Sequence, residues 1–211
     1  MPATAQQQHK HRRVQRLTEQ WVQRRLGRIA HERRVVSIAS ILFDLTRSLH
    51  ELSADDRRSL VLAALVHDVG RKINDKRHPT IGARMILADA HLPLNDSQRR
   101  CLAYLTRYHR GAVPAVGYDD ILSPGDNRKR MRLLLALLRA ADALDGRQID
   151  APRLVFAMKA RKLSIRCYFD DPSPKAKRFF KRRKKFRLLE ELLNCRVDVS
   201  VRQADSVHAV A

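Results

Sequence analysis

Apolar residues recur at three- and four-residue intervals through the first two thirds of the chain, a spacing that predicts helices. Val14, Leu17, Trp21 and Val22 share one side of a helix over about 14–26. His31, Val35, Ile38, Ala39, Leu42, Leu45 and Leu49 trace a second stripe, with His31 at its head. Ser53 can cap a third helix, SADDRRSLVLAALVHD, with Asp55 and Asp56 in its first turn and Gly70 as its stop. After the short loop RKINDKR, a helix begins near His78 or Pro79 and turns Ile81, Met85 and Ile86 inward. Asn95 or Asp96 caps the next, which runs to Tyr108. GAVPAVGYDDILSPGD reads as a long loop, of a length often used for lids or binding segments. A last helix spans about Asn127 to Leu144, with Met131, Leu134, Leu135 and Leu138 facing in.

The period changes after Gly146. RLVFAMKA and KLSIRCYFD read as short strands, PSPKAKRFFKRRKKFRLLEELLN as one helix, and CRVDVSVRQ as a third strand. The expected architecture is mainly α. It consists of a helical bundle over 14–147 and a small C-terminal α+β (β-β-α-β) appendage over 150–204, with a boundary near 150. A disordered basic segment, 1–13, and a loose tail, 205–211, flank them.

Composition adds one strong bias. The 211 residues hold 43 Lys and Arg against 22 Asp and Glu, a formal net charge of +21. Such a surface attracts polyanions, meaning nucleic acid, polyphosphate, nucleotides or anionic lipid, unless the charge serves only solubility. Hydrophobic residues, 44% of the chain, suffice for a core. Cys101, Cys167 and Cys195 are odd in number and form no CxxC pair, which fits a reducing cytoplasm. The opening MPATAQQQHKHRRVQR has no apolar stretch, so no signal peptide is expected. The longest apolar run, LLLALLRAADAL, is too short to span a membrane, and no membrane partner is expected.

Six metal-capable residues lie on or beside the inward stripes: His31, His67, Asp68, His78, His109 and Asp142. His67 follows Leu60 and Ala64 at helical spacing, His109 follows Leu102 and Leu105, and Asp142 follows Met131, Leu135 and Leu138. A lone inward histidine is more often a hydrogen-bonded core residue. Six ionisable groups buried together make sense if they share a partner, and a divalent metal is the simplest one. His9, His11, His50, His91 and His208 stand in polar, terminal or turn settings and are expected at the surface.

The stretches HERRVVSIASILFDLTRSLHEL, LAALVHDVGRKI, HPTIGARMIL, LTRYHRGAVP and LLRAADALDGR, in that order, resemble the HD-domain metal-dependent phosphohydrolase superfamily. Residues 25–200 resemble more closely the C-terminal region of the exopolyphosphatase/guanosine pentaphosphate phosphohydrolase (Ppx/GppA) family. The resemblance implies an HD-type helical bundle. It also implies that His31, His67, Asp68 and Asp142 bind one ion, and that His78 and His109 recruit a second with Asp68 as the bridge. The actin-like half that carries those phosphatases' polyphosphate chemistry has no counterpart in these 211 residues, so that activity does not transfer. Arg71 and Lys72 stand near the place where HD enzymes often show a lysine.

The expected function is metal-dependent hydrolysis of a nucleotide, polyphosphate or other anionic phosphoester. One or two divalent ions are expected, with Mn, Fe, Co and Mg not distinguished. Asp68 is the central catalytic candidate, and Arg71, Lys72, Arg107 and Arg110 are candidates for neutralising phosphoryl charge, each with a surface cation as its alternative. Asp145, one turn beyond Asp142, either orients a ligand histidine or forms a surface salt bridge. KAKRFFKRRKKFR carries nine basic residues and no acid. Its Lys181, Arg182, Arg183, Lys184 and Lys185 form either a cradle for polyphosphate or RNA or a solvated face. A weakly catalytic or non-catalytic polyanion-binding module remains the alternative. A third possibility is a subunit that complements a separate actin-like phosphatase chain, and a homodimer also stays open.

Overall fold

The computed structural model describes residues 5–115, 118–147, 151–180 and 183–204. Six helices come first: α1 (Ala5–Leu26), α2 (Ala30–Leu45), α3 (Ala54–Val66), α4 (His78–Ala88), α5 (Asp96–Tyr108) and α6 (Arg128–Ala143). Next come β1 (Arg153–Lys159), β2 (Lys162–Phe169), α7 (Pro174–Phe180), a 3-10 turn (Arg183–Lys185), α8 (Arg187–Leu193) and β3 (Arg196–Gln203). The chain is mainly α with a small α+β appendage, as its periodicity predicts. No helix among the described residues is long and apolar enough to cross a membrane.

The second half of α3, Leu60–Val66, is apolar and buried throughout, and the helix sits centrally, packed by α1, α2, α5 and α6. Its N-terminus is a reciprocal capping box. The Ser53 hydroxyl accepts from the Asp56 N–H at 3.2 Å, and the Asp56 carboxylate accepts from the Ser53 N–H at 2.7 Å. Asp56 also pairs with Arg130 on α6, tying the starts of two helices together. Burial pushes Asp56 up, but the Ser53 bonds and the Arg130 guanidinium outweigh it and hold the carboxyl below its ordinary value. A carboxyl depressed by folding adds stability above its ordinary titration range, and that stability fades as pH falls through the folded value. Asp56→Ala is therefore expected to cost about 1–3 kcal/mol near neutrality. Urea unfolding should show the gap to wild type narrowing below about pH 4.

The three strands form one sheet in the order β1-β2-β3. β1 and β2 are an antiparallel hairpin, and β2 and β3 run parallel with α7 and α8 in the crossover. Leu163, Ile165, Cys167 and Phe169 alternate inward along β2. They join Phe180, Phe186, Leu189 and Leu193 in a buried cluster continuous with the bundle core of Trp21, Phe43, Leu60 and Leu134. The expected boundary near 150 falls on residues 148–150, outside the described ones. Cys101 and Cys167 are free and buried, and burial pushes both thiols up to about 12.

Four expectations need correction. Residues 5–13, read as disordered, are the exposed first turns of α1, continuing the helix that the Val14–Val22 stripe anchors. α3 ends at Val66 rather than at Gly70, which places His67 and Asp68 in the following turn. His50, read as a surface residue, is half-buried, with its Nε2 3.1 Å from the Phe43 carbonyl. The single basic helix over 172–194 is broken into α7, the 3-10 turn and α8. Phe180 and Phe186 are both buried, yet on one continuous helix they would point about 120° apart. The break lets both reach the core. Lys181 and Arg182 lie outside the described residues, as does the tail 205–211.

Candidate metal centre

The six sequence-derived residues meet at one place. α2 brings His31, the turn after α3 brings His67 and Asp68, and α4 begins with His78. His109 follows α5, and Asp142 sits in the last turn of α6. His31, His67, Asp68, His78 and His109 are all buried, and Asp142 is half-buried.

The ligand atoms fall into two groups. His31 Nε2 lies 3.2 Å from His67 Nε2, and Asp142 Oδ1 is 3.4 and 3.6 Å from them. His78 Nε2 lies 3.2 Å from His109 Nε2. Asp68 stands between the groups. Its Oδ2 is 3.8 and 3.7 Å from the His31 and His67 Nε2 atoms. Its Oδ1 is 2.9 and 3.5 Å from those of His78 and His109. Within His31–His67–Asp142, and within His67–Asp68–His109, all ligand atoms lie within 4.8 Å of one another.

The tautomers are fixed from outside. The Nδ1–H of His67 donates to the Ala64 carbonyl at 2.8 Å, that of His78 to the Asp75 carbonyl at 2.6 Å, and that of His109 to the Thr106 carbonyl at 2.7 Å. His31 Nδ1 donates to Asp145 Oδ2 at 2.6 Å. A carbonyl only accepts, so each Nδ1 carries a proton and each neutral ring turns a bare Nε2 lone pair inward. Two such lone pairs 3.2 Å apart repel unless a cation lies between them. Burial disfavours an imidazolium at His67, yet the Asp68 and Asp142 carboxylates lift it to about 9. Against burial, His67 and the neighbouring imidazoles hold Asp68 and Asp142 well below the carboxylate range. His109 is pushed down by its burial. The donor set therefore calls for positive charge at its centre, and its mixed N/O character suits a borderline divalent metal.

Asp145 is buried rather than at the surface: it orients His31 and also accepts from Arg34 Nε at 2.7 Å. Two arginines reach Asp68 Oδ2, Arg71 at 3.0 Å and Arg147 at 2.9 Å. Arg147 also pairs with fully buried Glu32, whose second oxygen has no hydrogen-bond partner among the described residues. Sequence reasoning missed Arg147, because nothing in the dipeptide Gly146-Arg147 marks its direction; its place just after Asp142 and Asp145 was the only available signal.

A cavity of about 240 Å³ opens over this centre, with His31 and Asp142 among its lining. The bundle contributes Arg71, Arg110 and Arg147, and the appendage contributes Lys175, Phe179 and Lys185. Lys72 and Arg107 do not line the cavity. Lys72 is exposed with its ammonium beside Gly27, and the Arg107 guanidinium lies over the Tyr108 ring. None of the described residues of the 111–126 loop lines the cavity, and its Ile121 and Leu122 are buried in the core. Of the basic run, Lys185 reaches the cavity wall; Lys184 is exposed elsewhere.

The family whose sequence model matches the chain is described as Ppx/GppA phosphatase, domain III, and the match covers residues 10–170. No curated protein matches the chain.

Proposed function

The chain belongs to the Ppx/GppA phosphatase domain III family, and from that membership and its buried centre we propose a metal-dependent phosphoester hydrolase with an HD-type site. The observation that carries this reading is the convergence of four Nε2 lone pairs and two carboxylates beneath a cavity walled by cations. His31, His67, Asp142 and Asp68 Oδ2 would hold one divalent ion, and His78, His109 and Asp68 Oδ1 a second. Such ions supply Lewis acidity toward phosphoryl oxygens and bring the pKa of a coordinated water near neutrality.

The chain's own residues do the rest. Arg71, Arg110 and Arg147 bind the anionic oxygens of the scissile phosphate and balance charge as it develops. Asp75 accepts from Arg71 Nη2 at 2.6 Å, which fixes the direction of that guanidinium. The carbonyls of Ala64, Asp75 and Thr106 hold three rings in the binding tautomer. The residues do not distinguish among Mn, Fe, Co and Mg, and the substrate is a nucleotide, a polyphosphate or another anionic phosphoester.

A second reading, a polyanion-binding module with little turnover, is favoured by the net charge of +21. Metal analysis of the purified protein, followed by a phosphatase screen with Mn, Fe, Co and Mg, separates the two. We expect stoichiometric metal and metal-stimulated release of phosphate. Stoichiometric metal with no turnover would favour the binding module; no bound metal and no stimulation would sink the hydrolase.

A further inference from the structure

α1 extends further than its packing requires. Its buried residues, Thr18, Trp21 and Val22, all lie in its second half. Residues 5–10 are exposed at every position. The helix runs beside α3 in the same direction. Burial, and then the Arg58 guanidinium near the start of α3, push the His11 imidazole down, while Gly27, just past the end of α1, lies beside Lys72 beyond the end of α3. The first half of α1 therefore stands at the end of the bundle away from His67 and Asp68, and no α1 residue lines the cavity over the metal centre.

The outer face of this helix is basic. Lys10, Arg12, Arg13, Arg16 and Arg24 are all exposed. Glu19 is the one acid of α1, and Arg33 of α2 holds it at 2.6 Å. No ion pair found among the described residues engages any of the five cations. Like charges three and four residues apart, here Lys10–Arg13, Arg13–Arg16 and Arg12–Arg16, repel on a helix surface, and a polyanion relieves that repulsion. At 3.6 residues per turn the five cations fan over an arc of about 160° and along about 21 Å of helix axis. A helix lying in the major groove of B-form DNA, about 12 Å wide, meets phosphates on both flanks. The major groove of an A-form duplex is deep and narrow. A single strand is held largely by aromatic stacking, and Trp21, the one aromatic residue of α1, is buried. A membrane surface would need an apolar face as well, and that of α1 is turned into the core.

We propose that the outer face of α1 docks on duplex DNA, with Lys10, Arg12, Arg13 and Arg16 as its phosphate contacts. Phosphates carry no sequence information, so the binding is independent of base sequence. This gives polyanion binding a place remote from the metal centre, and it does not depend on the hydrolase reading.

The test is fluorescence anisotropy of the purified full chain with a short labelled DNA duplex, the RNA duplex of the same sequence and one of the DNA strands, each over a range of salt. The variant Lys10→Gln/Arg12→Gln/Arg13→Gln/Arg16→Gln should bind the DNA duplex about tenfold or more weakly, with the slope of log K against log salt reduced by about 2–4. The charge-keeping variant Arg12→Lys/Arg13→Lys/Arg16→Lys should stay within about threefold of wild type. So should Lys177→Gln/Arg178→Gln/Arg196→Gln/Arg202→Gln, which removes four exposed cations from the appendage. Helicity by circular dichroism and metal content should match wild type in all three.

Equal losses in the two Gln variants would show that bulk charge alone is at work and would overturn the docking face. An RNA duplex or single strand bound as tightly as the DNA duplex would overturn the choice of occupant. A loss confined to the α1 variant, in a protein that binds no metal, leaves the docking face standing while the hydrolase reading falls; metal-stimulated turnover without DNA binding does the reverse.

Discussion

Asp68→Asn is expected to strip metal from the centre and to lower phosphoester turnover by more than about a hundredfold, beyond the 10–100-fold typical of losing an outer partner of a ligand. The substitution preserves shape and removes one negative charge. Each Asp68 oxygen faces a different imidazole pair, so a single neutral amide weakens both halves of the centre at once. Two guanidinium groups also lose their shared charged acceptor. Asp142→Asn should be milder in stoichiometry, because among the described residues the imidazoles paired with Asp142 are those of His31 and His67. Elemental analysis of both variants alongside turnover decides the matter: Asp68→Asn protein that keeps its full metal complement would remove Asp68 as a bridge.

Gly70→Ala should produce the largest loss of stability. A Cβ at Gly70 would lie 2.6 Å from the His78 carbonyl oxygen and 2.7 Å from the Gly82 nitrogen. Both are backbone atoms, so relief requires moving α4 away from the turn that holds Asp68. Overpacking of this kind costs about 3 kcal/mol or more. For a chain of this size that lowers Tm by roughly 6–12 °C. Because α4 begins with His78, metal affinity should fall with stability. Gly82→Ala is the comparison. Its added Cβ meets the side chains of Thr106 at 3.0 Å and Val69 at 3.2 Å, and side chains can shift. Thermal melts in which Gly70→Ala is no worse than Gly82→Ala would show that the α3–α4 junction is pliable.

The helices were legible from their apolar stripes, and with them His31, His67, His109 and Asp142, which head or continue those stripes; Asp68 and His78 followed from their place beside His67 and at a helix start and from the family resemblance. Asp145 was legible as a candidate for the same reason, one turn from Asp142. Arg147, Glu32 and Lys175 were not, since long side chains reach across elements and their targets depend on tertiary placement. Lys72 illustrates the reverse: adjacent to Arg71 in sequence, it faces the Gly27 turn instead. The break between α7 and α8 was hidden because helix propensity is local, while the need to bury both Phe180 and Phe186 is set by the sheet. The pattern suggested that the basic run and the histidine centre stand in separate lobes. Lys185 joins them on one cavity wall.

The two arginines on Asp68 Oδ2 bear on the order of events when the protein matures. A buried carboxylate between imidazoles would ordinarily need its ion before the chain could close around it. Here Arg71 and Arg147 serve as resident counter-ions, and Arg147 also satisfies the buried Glu32. The charge on that carboxylate is therefore balanced by the chain's own residues, so folding need not wait for an ion. Chelation is expected to leave the amount of folded protein unchanged, and a far-UV circular dichroism signal that collapses with chelator would show instead that the fold depends on an ion.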